Sequence, residues 1–132
     1  MQQLYSVEIN LKIKTSQRTI NTKTFELIAA GDARSIHSQC QKLYKANNIT
    51  VDVLDYKKIG YRYSVTKQPK GFSFGGTKFD GIKIINVSVL PNSRQFLFKT
   101  EDNKYDLNIS FNVSDSEFDD MVEKLISTLR LT

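Results

Sequence analysis

One cysteine, Cys40, is all the thiol chemistry the chain carries, which excludes an internal disulfide and the disulfide framework of many small secreted domains. Long apolar runs are missing too: residues 27–30 make one of the longest, far short of the roughly 20 residues that cross a bilayer. The opening MQQLYSVEINLK has no basic segment leading into an apolar one and a small-residue cleavage site. The expectation is a cytoplasmic protein with no membrane partner.

Catalytic parts are equally scarce. The single histidine, His37, lies three positions before Cys40 on a predicted helix, so the two side chains can meet. Two ligands leave a metal site incomplete, and Cys40 falls on the apolar stripe, which favours a buried thiol beside a boundary histidine. Asp115, Glu117, Asp119, Asp120 and Glu123 crowd one short helix, a solvated face with no carboxyl placed opposite for acid–base work. The glycines of GFSFGGTK match neither the phosphate-loop nor the dinucleotide spacing, and no hydrolase serine motif occurs. The expectation is a protein without catalytic residues, metal or cofactor.

Acidic residues are absent from 56–79, YKKIGYRYSVTKQPKGFSFGGTKF, which holds six Lys or Arg and six aromatic rings. The formal charge of the chain is +5, and without this stretch it is −1; residues 101–132 alone carry three basic and eight acidic groups. Positive charge is thus concentrated in one segment and negative charge at the C-terminal end. A length of 132 residues with a 39% apolar fraction predicts one folded domain, 1–132.

Periodicity supplies the elements. Residues 4–14 alternate Tyr5, Val7, Ile9, Leu11 and Ile13 against polar neighbours, a half-buried strand that returns through 19–28 after a turn at 15–18. Asp32 is placed to cap a helix over 33–46, with Ala33, Ile36, Cys40 and Leu43 on its apolar face and Asn47-Asn48 in a left-handed stop. Strands are expected at 49–53 and 59–65 around a turn at 55–58, then an irregular hairpin or loop over 67–81. Further strands follow at 82–90, bulged at Ile84-Ile85, at 94–100 and, beyond an EDNK turn, from Tyr105 to Val113. Ser114 and Glu117 have capping-box spacing ahead of the stripe Phe118, Met121, Val122, Leu125 and Leu129. The order ββα-βββββα predicts an α+β fold: an antiparallel sheet of about seven strands and two helices, the C-terminal helix packed on the sheet.

The basic stretch has two readings. Lys57, Lys58, Arg62, Lys67, Lys70 and Lys78 suit a phosphate backbone, and Phe72, Phe74 and Phe79, set among glycines, suit base stacking if exposed. The same rings can fold back as a minor core, and the parity of Tyr61 and Tyr63 with Ile59 and Val65 predicts core or sheet-edge tyrosines with Arg62 outside. KGFSF, residues 70–74, resembles the start of the aromatic RNA-contacting segment of RRM and cold-shock proteins, K/R-G-F/Y-G/A-F-V-x-F/Y in the RRM form. The likeness spans five positions; Ser73, Gly75 and Thr77 depart from the pattern, and the element order is not βαββαβ. It is shared chemistry rather than family membership. The expected function is therefore a non-enzymatic nucleic-acid-binding protein favouring single strands. The alternative is a protein-interaction module, such as a phage or mobile-element inhibitor or accessory factor, with a homo-oligomer open if the acidic helix meets the basic loop of a second copy.

Overall fold

A computed structural model describes residues 1–101 and 107–132, Ala33 by its backbone alone. The fold is α+β, with a seven-stranded, mostly antiparallel sheet, a separate two-stranded hairpin and two helices, the second of which follows the strands. Contacts divide the chain into an N-terminal unit, Gln2–Ile59, and a C-terminal unit, Gly60–Thr132 with Met1. Each unit has its own hydrophobic cluster. No helix among the described residues is long and apolar enough to cross a membrane.

In the N-terminal unit, β1 (Gln2–Lys14) buries Tyr5, Val7, Ile9 and Leu11 and exposes Glu8, Lys12 and Lys14, as alternation requires. The return strand comes in two pieces, β2 (Thr19–Asn21) and β3 (Phe25–Gly31), both antiparallel to β1. Between them the register slips by one residue: Lys12 faces Asn21, whereas Ile9 faces Phe25. Thr22 causes the break. Its N–H donates to the Leu11 carbonyl at 3.0 Å while its hydroxyl accepts from the Leu11 N–H at 2.8 Å, so a side chain takes over one rung of the ladder.

Asp32 caps as expected, its carboxylate accepting from the N–H groups of Arg34 and Ser35 at 2.9 and 3.1 Å. A single 3-10 turn, Ala33–Ser35, leads into α1 (Ile36–Leu43), which is shorter than the 33–46 expected. Leu43 is exposed, and Tyr44 enters the core instead, its ring 6.3 Å from that of Phe25. The core-facing stripe is thus buried Ile36 and Cys40 followed by half-buried Tyr44, a strict four-residue step that rotates Leu43 outward. Tyr44 ends the helix at φ −122°, ψ 73°, and neither Asn47 nor Asn48 has a positive φ.

β4 (Ile49–Ser64) corrects a second expectation, because the predicted turn at 55–58 is part of one continuous 16-residue strand. Asp-Tyr-Lys-Lys offers no Gly or Pro to reverse the chain, and Asp55 spends its carboxylate on the adjacent N–H of Tyr56.

In the C-terminal unit the end of β4 pairs with β7 (Ile84–Leu90), which pairs with β8 (Gln95–Thr100) and through it with β9 (Leu107–Ser110), all antiparallel; β5 and β6, the small hairpin, are described below. The rows Tyr61–Val89–Phe96–Ile109 and Tyr63–Val87–Phe98–Leu107 lie on one face, where Tyr63, Val87, Val89, Phe96, Phe98 and Ile109 join the core. The expected bulge is present: register shifts between Ile84 and Asn86, Ile84 turning inward and Ile85 outward. α2 (Asp115–Thr128) buries Phe118 and Leu125, with Leu129 just beyond. The Ser114 hydroxyl accepts from the N–H of Glu117 at 3.2 Å and donates to the Glu117 carboxylate at 3.0 Å, a variant of the reciprocal cap. Most of the predicted EDNK turn and the strand start at Tyr105 fall at 102–106, outside the described residues. Strand order across the sheet is β2–β1–β4–β7–β8–β9, with β3 also paired to β1.

Candidate nucleic-acid interface

The predicted loop over 67–81 folds back on itself as a hairpin of β5 (Ser73–Phe74) and β6 (Thr77–Lys78). Gly75 and Gly76 form its turn at φ +55° and +80°, the paired left-handed conformation that matches the natural twist of two strands. The Phe79 N–H donates to the Phe72 carbonyl at 2.9 Å and extends the pairing by one step.

All three phenylalanines turn inward. Phe72 and Phe79 are 7% and 2% exposed, and Phe74 packs against the same cluster. Phe79 lies 5.1 Å from Phe98, while Phe74 is 5.0 Å from Phe96 and 5.5 Å from both Phe98 and Phe111. Placing these rings as stacking platforms for bases is therefore corrected: each does more by leaving water for an aromatic core than it would standing in solvent, and the hairpin turn points them there.

The lysines on the same segment do the opposite. Lys67, Lys70 and Lys78 are exposed, and none forms an ion pair with another described residue. Their backbone is held from beneath: the N–H groups of Thr66 and Lys67 donate to the Leu129 carbonyl at 3.2 and 3.1 Å. The Gln68 side chain bridges the segment's ends, donating to the Ile82 carbonyl at 2.7 Å and accepting from the Ile84 N–H at 2.9 Å. Between them lies an open depression of about 520 Å³ whose lining includes Lys70, Lys83, Asp80 and Gln68. Two ammonium groups and one carboxylate give this hollow a net positive rim.

Arg62 is half-buried on the sheet face opposite the phenylalanines, its Nε donating to the Ser88 hydroxyl at 3.1 Å, so part of its hydrogen-bonding capacity is already used. Register puts Arg62, Ser88, Leu97 and Asn108 in one row of that face, with Ser64, Asn86 and exposed Lys99 in the next. Lys57 and Lys58 belong to the N-terminal unit, and Lys67, Lys70 and Lys78 to the C-terminal unit, where Lys70 and Lys83 line the hollow. Lys83 and Lys99 were not singled out by sequence. The parity of Lys99 against Phe96 and Phe98 was a usable sign, whereas Lys83 joins the hollow only through the Gln68 bridge.

No family model, curated protein or solved structure matches this chain. Its residues must speak for themselves. The His37–Cys40 pair diverges: His37 Nε2 lies 3.1 Å from the Val51 carbonyl, an acceptor that a protonated Nε2 donates to, while the Cys40 sulfur is fully buried. Burial pushes the Cys40 thiol pKa up, which keeps it neutral and a poor nucleophile. Tyr63 is also pushed up, first by burial and then by the nearby Tyr61 hydroxyl. Both shifts favour the neutral forms of these groups.

Proposed function

We propose that the protein is a non-enzymatic nucleic-acid-binding protein that holds the phosphate backbone with Lys67, Lys70 and Lys78, aided by Lys83. The observation that carries this reading is the division of labour within residues 67–79: the rings are sunk in a core, while Lys67, Lys70 and Lys78 stand in solvent with no carboxylate partner among the described residues. Side chains on a pinned backbone lose less freedom on binding than those on a loose loop, and each phosphate contact releases condensed counterions. Stacking on Phe72, Phe74 and Phe79 no longer supports a preference for single strands, so contacts to phosphate are expected to treat single strand and duplex nearly alike.

The test is a titration of fluorescent single-stranded and duplex oligonucleotides at low and moderate salt. Binding should be measurable at low salt, with log K falling linearly against log salt at roughly −0.9 per phosphate neutralised on a duplex. Changing Lys67, Lys70 and Lys78 together to Glu should abolish it. No affinity for either oligonucleotide at low salt rejects the proposal.

A further inference from the structure

The outer edge of β3 raises a separate question. β3 pairs with β1 on one side, and no described strand pairs with the other. Natural edge strands discourage pairing with lysine, proline, a bulge or extreme brevity. FELIAAG has seven residues, no lysine or proline and a single charge, and it keeps unbroken register with β1 from Phe25 to Gly31. Phe25, Leu27 and Ala29 face the N-terminal core, while Ile28 on the other face is 50% exposed.

We infer that two copies of this chain associate by antiparallel pairing of β3 with β3, on a two-fold axis through Ile28. The sequence is self-complementary in that register. Ile28 meets Ile28 of the second copy, Leu27 meets Ala29, Phe25 meets Gly31, and Glu26 falls opposite Ala30 rather than opposite itself. One step past the strand the register sets Thr24 of each copy opposite Asp32 of the other, so no acidic group faces another across the pairing. The contact is isologous and closes at two subunits, so it does not propagate into a fibre. It stands independently of nucleic-acid binding, because it uses none of the lysines invoked there.

Sedimentation velocity over a concentration series tests this directly: the mass should rise from 15.1 kDa toward twice that value. Ile28→Lys sets like charges opposite each other at the axis and should weaken association by about tenfold or more, with the circular dichroism spectrum unchanged because residue 28 is half in solvent. Ile28→Cys should cross-link two chains under mild oxidation, since directly opposed residues hold their Cβ atoms roughly 4.5–5.5 Å apart, close to disulfide reach. Glu26→Cys should not, because the register separates the two copies of residue 26; buried Cys40 should leave the parent protein uncross-linked. A monomer at every concentration, a dimer indifferent to Ile28→Lys, or equal cross-linking through residues 26 and 28 would each overturn the inference.

Discussion

Phe79 and Lys70 sit nine residues apart in one segment and answer to different forces. Phe79 is 2% exposed, with Phe72 at 5.6 Å and Phe98 at 5.1 Å between ring centres, so truncation removes apolar burial and leaves a cavity. Phe79→Ala should lower unfolding free energy by about 3–5 kcal/mol in urea titration. Exposed Lys70, without an ion-pair partner among the described residues, should tolerate Glu at a cost within about 0.5 kcal/mol. Oligonucleotide affinity should rank the two variants the other way round, measured where both remain folded. If Phe79→Ala weakened binding while leaving stability intact, its ring would have to reach the ligand, contrary to its burial.

At the scale of the element, the β5–β6 hairpin depends on two glycines with unequal surroundings. Both have positive φ, but a Cβ on Gly75 would lie 2.6 Å from Cζ of Phe111, whereas nothing lies within 4 Å of one on Gly76. Phe111 is held by Phe74 and Phe96 at 5.5 and 5.8 Å, so its ring has little room to retreat. Gly76→Ala should therefore cost about 1–2 kcal/mol from backbone strain alone. Gly75→Ala should cost that and the clash, giving the larger drop in thermal midpoint. The same reasoning explains why strands were easier to foresee than their ends. Alternation in β1 and the stripe in α2 are local patterns repeated over many residues. The break at Thr22 and the straight run through Asp55–Lys58 were each decided by a choice of hydrogen-bond partner that periodicity does not encode.

For the molecule as a whole, both units contribute to one pH dependence. Cys40 in the N-terminal unit and Tyr63 in the C-terminal unit have pKa values raised by burial, Tyr63 further by Tyr61. Above the ordinary thiol and phenol ranges, about 8.5 and 10, the unfolded chain releases these protons while the folded one retains them. The unfolded state then binds fewer protons, so stability falls as pH rises through the folded values; below the ordinary ranges these two groups add no slope. Urea denaturation across alkaline pH should show that decline, and Cys40→Ala should remove its earlier part even if lost packing lowers the curve throughout. A slope unchanged by Cys40→Ala would mean that the thiol ionises equally in both states.

By itself the sequence determined the α+β class, the capped C-terminal helix, the bulge beside Ile84 and the separation of positive from negative charge. Those features are written in spacing of two, spacing of three to four, or simple counts over neighbouring residues. Only tertiary structure decided that Phe72, Phe74 and Phe79 are core rather than surface, that Lys83 joins Lys70, and that no described strand pairs with the outer side of β3. A ring becomes core only when distant β8 supplies Phe96 and Phe98 to cover it, and a strand becomes an edge only when the pairing of every other strand has been settled; neither fact is held by the residues nearby.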